Sequence, residues 1–427
     1  MPALVATDGG LRHAMALASV EAWGHPDRSL SVVGMTGTKG KSTSTYMLRA
    51  ILDAGHREPQ VALIGSIDTF DGVERFESVN TTPEAPDLWR HVSNAAGSHL
   101  PYLVMEVSSQ ALKYDRVVGL GLDVACFLNI GRDHISPLEH PTFEDYFASK
   151  LRIFDQARVA VVNLDMDMAD EVLSAAGRCE RLVTFSAGPD ARTSGADLWA
   201  AEEEPCPQGI RFLCHTPSWE GPVVVGMPGL FNVENALCAI ACCEVLGVGQ
   251  EQVLAGLAHA RVPGRMEPLP TSNPRLSGLV DYAHNKLSYQ RFFSSVVREY
   301  PGRAIVVVMG APGGKAYERR KELPEEASKW ADYLIYTEED PANDPLEEIC
   351  AQMAANTPEG QTFEVVLDRP AAVARAVEVA RACPQGAVVC LLAKGDETRQ
   401  HVGNAFVPSE TDATLFYRAV GEADPRG

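Results

Sequence analysis

No stretch of this chain approaches the ~18 consecutive apolar residues of a membrane span, so no membrane partner is expected. Positive charge is also scarce. Thirty-seven Lys and Arg against 57 Asp and Glu leave a formal net charge of −20. No basic field exists to attract a phosphate backbone, which excludes a broad nucleic-acid-binding surface but not a local basic pocket for a small anion. The ten cysteines include no C-x-x-C pair. Cys238 lies one helical turn before Cys242, a packing pattern more than a ligand pattern, and cysteines used as small apolar residues fit a reducing cytosol. Residues 1–10 hold neither a basic region nor an apolar one, so no signal peptide is expected and the protein reads as cytoplasmic. Internal repeats and low-complexity tracts are missing.

What is present is ordinary for a soluble globular protein. Apolar residues make up 45% and charged residues 22% of 427, enough for two or three domains with sizeable cores. Short apolar or β-branched runs at 30–33, 61–64, 103–105, 124–128, 159–163 and 182–185 predict buried strands. Others follow at 223–225, 278–281, 304–309, 333–336, 363–367 and 387–392. Helical patterns sit between many of them, at 42–54, 142–154, 232–246, 250–258, 287–300 and 369–382. This alternation predicts an α/β fold with mostly parallel sheets. Composition shifts near 200–225, and a Pro- and Ser-rich seam at 262–276 predicts a domain boundary.

Residues 34–43 read G-M-T-G-T-K-G-K-S-T, after one predicted strand and into a helix. That context suits a phosphate-binding loop, although the usual G-x-x-x-x-G-K-[ST] spacing would put glycine at Met35. Backbone N–H groups from Gly37, Thr38, Lys39, Gly40 and Lys41 could ring the phosphates of a nucleotide, with the Lys41 ammonium against the β/γ charge. Ser42 or Thr43 could offer a hydroxyl to Mg²⁺. Further along, M-E-V-S-S-Q places Glu106 at a strand end, where ligands of α/β sheets gather. N-I-G-R-D-H-I places Asn129 and His134 beyond another strand, and Lys150 falls on an amphipathic helix. A hard carboxylate and an imidazole near a triphosphate suit Mg²⁺-assisted phosphoryl transfer. Singly, each is equally at home as a cap, a structural histidine or a solvated lysine.

Together these motifs resemble the Mur ligase family, whose loop T-G-T-N-G-K-[ST]-T also carries its first glycine one place early. The resemblance implies a central P-loop ATPase domain over 31–264, a C-terminal Rossmann-like domain over 265–427, and residues 1–30 as a residual connector. It implies ATP and two Mg²⁺ ions, with Ser42 on the first and Glu106, His134 and a carbamylated Lys150 on the second. It also implies an activity: a carboxylate takes the γ-phosphoryl group of ATP, and the acyl phosphate reacts with an amine to form an amide. Lys41 and Arg265 would neutralise the charge spreading over the transferring group. Asn235 in P-G-L-F-N-V-E-N-A would contact adenine, and Asp281 and His284 in D-Y-A-H-N would reach the nucleotide.

The resemblance is nearest the branch that adds the third residue to a muramyl dipeptide. By N-T-T-P and E-V-S-S…R, Thr81, Thr82, Ser108 and Arg116 would face the acceptor. That branch begins with a UDP-holding domain, of which residues 11–30 match only the connector. Either a partner subunit supplies that recognition or the acceptor lacks UDP. The diaminopimelate motif D-N-P-R reads E-D-P-A at 339–342. Losing the guanidinium removes a bidentate carboxylate clamp, which argues against diaminopimelate. The acids Glu338, Glu339 and Asp340 suit a side-chain ammonium such as lysine's. G-K-G-H-E reads A-K-G-D-E at 393–397, where Glu397 would sense the incoming amino acid and Asp396 replaces a histidine. Gln110 and Ser136 also depart from the family's His and acid. Two rival readings stand beside this one: an amino-acid ligase of another pathway on a non-UDP carboxylate, and a Mur-like scaffold that binds ATP without ligating. The retained Lys41, Glu106, His134 and Lys150 speak against the scaffold.

Overall fold

A computed structural model describes residues 10–132, 135–136 and 139–425. By packing, the chain forms two units, one of Met1–Gly226 with Asn232–Arg261 and one of Met227–Phe231 with Val262–Gly427.

The first unit runs α1 (Gly10–Trp23), β1 (Ser31–Thr36), α2 (Lys41–Asp53), β2 (Val61–Ile64), β3 (Asp68–Phe70), β4 (Arg75–Glu77), α3 (Ala85–Gly97), β5 (Tyr102–Glu106), α4 (Ser109–Lys113) and β6 (Leu122–Phe127). It continues with α5 (Phe143–Leu151), β7 (Ala157–Asn163), α6 (Ala169–Ala176), β8 (Arg181–Ser186), β9 (Leu198–Cys206), β10 (Gly209–His215), β11 (Glu220–Val225), α7 (Asn232–Leu246) and α8 (Gln250–His259). Its eleven strands lie in the order β11-β10-β9-β8-β7-β6-β1-β5-β2-β3-β4. The stretch from β9 to β2 is parallel, and antiparallel hairpins extend both edges. Central strands such as Ala157–Asn163 are nearly all apolar because helices cover both faces of a parallel sheet. Trp89, Phe127 and Phe154 are buried in one core beside it. The helix predicted for 142–154 stops at Leu151 and tightens into a 3₁₀ turn over Arg152–Gln156.

The second unit contains β12 (Glu267–Pro270), β13 (Leu276–Asp281), α9 (Lys286–Glu299), β14 (Ala304–Met309), α10 (Arg319–Ala327), β15 (Tyr333–Tyr336), α11 (Leu346–Ala355) and β16 (Phe363–Val365). After these come α12 (Arg369–Ala382), β17 (Ala387–Leu392), the hairpin β18 (Arg399–Val402) and β19 (Ala405–Pro408), and α13 (Asp412–Val420). Its sheet, β12-β13-β17-β14-β15-β16, is parallel apart from the β12 edge. Arg369 ties it together from within: its guanidinium grips both oxygens of Asp412 at 2.6 Å and donates to the Leu392 carbonyl.

The segment Met227–Phe231 packs with the second unit although its flanks belong to the first. Gly229 N–H donates to Glu299 Oε1 at 2.7 Å and Leu230 N–H to Ser295 Oγ at 3.2 Å. Burial lifts the Glu299 carboxyl to about 7, against the two backbone N–H groups that pull it down. A carboxyl raised on folding contributes stability below its unfolded value and loses it as pH climbs through the folded one. Glu299→Gln, which keeps the acceptor for Gly229, should therefore raise the melting temperature at pH 8 by roughly 2–4 °C per kcal/mol relieved and leave it unchanged near pH 4, below the unfolded value. Paired thermal melts of parent and variant at the two pH values check this.

Candidate active site

The loop between β1 and α2 is held open by its neighbours. Gly40, the residue before α2, has φ +86°, and a Cβ there would collide with Asn235 Oδ1. At Gly37 a Cβ would stand 2.9 Å from Leu128 Cβ. Both glycines are thus fixed by close approach as well as conformation. Asn129, just past β6, clamps the loop from the other side. Its carbonyl accepts from Thr38 N–H at 3.1 Å, its Oδ1 from Lys39 N–H at 2.9 Å, and its Nδ2 donates to the Lys39 carbonyl. The Thr38 hydroxyl takes Gly131 N–H at 3.0 Å and meets the Tyr146 hydroxyl at 3.0 Å. The N-terminus of the 13-residue α2 then points its first N–H groups into the loop, as at the anion sites of other helix N-termini. Thr43 is buried within its first turn.

Two amines converge on one carbonyl. Lys41 Nζ donates to Gly37 O at 2.9 Å and to Thr38 O at 3.4 Å. Lys150, only 2% exposed, donates to the same Gly37 oxygen at 2.9 Å, reaches Thr36 Oγ1 at 3.5 Å and lies over the Tyr146 ring. The last turn of α5 therefore delivers Lys150 to the loop between β1 and α2.

On the other side of the loop, three oxygens form a line. Ser42 Oγ meets Ser66 Oγ at 2.9 Å, and Ser66 donates to Glu106 Oε1 through both its hydroxyl (3.0 Å) and its N–H (2.8 Å). Glu106 is buried at the end of β5. A Cβ on Gly65 would approach Glu106 Oε1 to 2.7 Å, so this turn too is shaped around the carboxylate. Ser66 carried no motif signal; a serine in a turn after β2 is unremarkable without its neighbours. His134 lies outside the described residues.

The predicted acceptor residues gather beside Glu106. Thr82 Oγ1 donates to the Glu106 carbonyl at 2.9 Å and accepts Ser108 N–H at 3.1 Å, and Ser108 caps α4. Arg116 donates to the Thr82 carbonyl at 3.0 Å and pairs with Glu84 at 3.0 Å. Thr81 is half-buried next to them. Gln110 reaches Glu139, and Ser136 accepts Glu139 N–H. The neighbouring Ser109 is held by a buried His140, whose other ring nitrogen faces Asp145 at 2.6 Å.

Asn235 sits under Gly40 with its amide donating to Asn232 Oδ1 at 2.8 Å, while Ser44 Oγ donates to Asn235 Oδ1 at 3.4 Å. The side chain expected to meet adenine is thus engaged in supporting the loop.

In the second unit a charged cluster builds on the ends of β13 and β17. Arg265 stacks over the Tyr282 ring at 4.2 Å and donates to the Gly264 carbonyl. Asp281 pins the chain turn by accepting Met266 N–H and Ala283 N–H, each at 2.7 Å. His284 Nδ1 donates to the Tyr282 carbonyl at 2.6 Å. Tyr282 donates to Glu397 Oε1 at 3.0 Å, and Lys394 bridges Glu397 (2.7 Å) and Asp340 (2.9 Å). Burial depresses the Lys394 ammonium, but Glu397 and Asp340 outweigh it and hold it above its ordinary value. Asp396 is raised to about 6 by burial, against the pull of Arg265.

The three acids 338–340 separate clearly. Glu338 accepts from Arg369 N–H and Gln400, and Asp340 from Lys394 and His401 N–H. Glu339 is different: its Oε2 is buried and has no hydrogen-bond partner among the described residues. Burial, helped by Asp340, lifts it to about 7.

Comparison with known proteins agrees with this picture. The Mur ligase middle domain matches residues 35–243, and the Mur ligase, glutamate ligase domain matches residues 264–395. The chain is 34% identical over 416 residues to the UDP-N-acetylmuramoyl-L-alanyl-D-glutamate–L-lysine ligase of Enterococcus faecalis, covering 96% of this chain and 80% of that one. It is 36% identical over 429 residues to the UDP-N-acetylmuramyl-tripeptide synthetase of Bifidobacterium longum, covering 98% and 82%. Among solved structures, a UDP-N-acetylmuramoyl-L-alanyl-D-glutamate–2,6-diaminopimelate ligase superposes with TM-score 0.65 at 23% identity, over 97% of this chain and 82% of that one. Mycobacterium tuberculosis folylpolyglutamate synthase, complexed with ADP and AMPPCP, gives TM-score 0.71 at 17% identity over 96% and 95%. These two likenesses speak for the fold alone. With both domain signatures matched and relatives of 34–36% identity aligned along nearly its whole length, the chain belongs to the Mur ligase family.

Proposed function

We propose that this ligase activates the carboxylate of a muramyl peptide with ATP and joins it to an amino acid with a cationic side chain, lysine. The family uses ATP and Mg²⁺ generally. The observation that carries the reading is the convergence of Lys41 and Lys150 on the Gly37 carbonyl beside the Ser42–Ser66–Glu106 line. Cations on one side and hard oxygen donors on the other fit a transferring phosphoryl group. An acceptor carboxylate oxygen bonds to the γ-phosphorus, and the bond to the β–γ bridging oxygen breaks, releasing ADP. The amine nitrogen then attacks the acyl carbon, phosphate leaves with its electron pair, and the amine gives up a proton.

Ser42 and Glu106, with His134 and a carbamylated Lys150, would hold the two metal ions. Mg²⁺ bound there would neutralise charge on the phosphates. Lys41 would orient the γ-phosphoryl group. Thr81, Thr82, Ser108 and Arg116 would hold the acceptor. Asn235 in the first unit and Arg265, Asp281 and His284 in the second are the proposed nucleotide residues. Asp340 and Glu397, bridged by Lys394, would fix the amino-acid end.

Glu339 supports a cationic substrate, because a buried carboxylate oxygen without a partner is costly until a cation meets it. The names printed for the relatives point the same way. The test is ADP release with UDP-linked and UDP-free muramyl dipeptide against a panel of lysine, ornithine, diaminopimelate, alanine and glutamate. Turnover should need an acceptor and lysine together. Glu339→Gln should raise the KM for lysine roughly 10–100-fold, the worth of one charge-assisted bond, with little change in the KM for ATP. Lysine-independent turnover, or an unchanged KM in the variant, would refute the assignment.

A further inference from the structure

Three thiols meet in the core of the first unit, from places far apart in the chain. Cys126 lies within β6, and Cys238 and Cys242 stand one turn apart on α7. Their sulfur atoms all lie within 4.8 Å of one another, and Cys126 Sγ is 3.3 Å from Cys242 Sγ. All three residues are 0% exposed. Each sits on a sheet strand or a 15-residue helix, so the cluster is rigid. Hydrogen bonds from the Cys126 and Cys242 thiols and the Ser44 hydroxyl hold the Cys238 thiol below its ordinary value, against burial.

We infer that Cys126, Cys238 and Cys242 form a closed three-sulfur site for a trivalent thiophilic element, with arsenic(III) as the probe. The charge balance selects the valence. Three thiolates around a monovalent or divalent ion would leave a net negative charge in a dry core, which is expensive. A trivalent centre makes the adduct neutral. Arsenous acid, As(OH)₃, is itself uncharged and reacts as As(OH)₃ + 3 RSH → As(SR)₃ + 3 H₂O. Three As–O and three S–H bonds break, three As–S and three O–H bonds form, and arsenic stays trivalent, so no oxidant is needed. Soft sulfur ligands suit such an element, and water has no route to a fourth position at full burial.

The site is wired to the phosphate loop. Cys238 follows Asn235 on α7 by one turn, and Asn235 packs under Gly40. Ser44, which bonds Cys238 and Asn235, is also tied to Gly40 through its N–H. Drawing three sulfurs together would shift this support, so occupancy should weaken nucleotide binding. Entry needs local opening of the core, so binding should be slow and should speed up in dilute urea.

The experiment is mass spectrometry of the full-length protein after incubation with arsenite, followed by alkylation and peptide mapping. The expected result is one arsenic per chain with loss of three hydrogens, protection of Cys126, Cys238 and Cys242 together, and no protection of Cys350 or Cys390. ADP affinity should fall several-fold and recover on adding a small dithiol. Cys126→Ser, Cys238→Ser and Cys242→Ser should each weaken arsenite retention more than about 100-fold, beyond what loss of an outer-shell contact costs. Peptide mapping of the parent keeps the test decisive if a variant fails to fold. No adduct, protection of other cysteines instead, or an adduct that survives in the triple variant would each overturn the inference.

Discussion

Lys150→Ala should lose at least ~10²–10³-fold in turnover, the scale of removing one preorganised electrostatic group, and should regain part of it when a small carboxylate is added. The reason lies at Gly37. Lys41 and Lys150 both donate to its carbonyl oxygen at 2.9 Å, which places two ammonium groups within about 6 Å of each other. At an effective dielectric of about 20, such a pair repels by about 3 kcal/mol. Adding CO₂ to the Lys150 nitrogen, with release of two protons from the ammonium, would convert its charge from +1 to −1. Repulsion with Lys41 would become attraction, and a hard anionic oxygen would stand at the loop. The alanine variant leaves room for a free carboxylate to take that place. Activity of the parent should also fall when dissolved CO₂ and bicarbonate are removed and return when they are restored. Initial rates with and without acetate and bicarbonate decide the matter: a Lys150→Ala enzyme as active as the parent would end the carbamate assignment.

The strand–glycine loop–helix turn over 34–43 was legible because its demands are local. Gly37 and Gly40 answer to conformation and close approach, and a β-branched run before them with a helix after them leaves few alternatives. The parallel strands were legible for a similar reason, since burial on both faces writes an unbroken apolar run. The strands of the antiparallel extension write no such signal. β9, inside the sheet between β8 and β10, reads L-W-A-A-E-E-E-P-C, and its acidic second half looks like a linker in sequence. α10 hides behind an internal Pro324 and a run of charges. Ser66 and the thiol cluster could not be read at all, because their meaning is long-range. Cys126 and Cys242 are 116 positions apart, and the pair on α7 alone resembles packing. Likewise, three successive acids look equivalent until Arg369, Gln400 and Lys394 occupy two of them and leave Glu339 Oε2 without a hydrogen-bond partner among the described residues.

Lys41→Met, which keeps the length of the side chain and removes its charge, should cost a further large factor, ~10³-fold in kcat, while ATP affinity falls much less. On the proposed function, the backbone N–H groups of the loop and the α2 N-terminus would bind the ground-state phosphates without Lys41. The ammonium matters most where negative charge moves, on the bridging and γ-phosphoryl oxygens as ADP departs. Its tether to the Gly37 and Thr38 carbonyls aims Lys41 before substrate arrives, so no reorganisation is spent during the reaction. The same tether argues against rescue by Lys41→Arg. A guanidinium is broader than an ammonium, and the Gly37 oxygen already receives Lys150. The two substitutions can be compared by nucleotide titration, single-turnover ADP formation and thermal melts. A Lys41→Met enzyme that binds ATP tenfold or more weaker but turns over at the parent rate when saturated would assign Lys41 to ground-state binding, and the charge-stabilising role would fall.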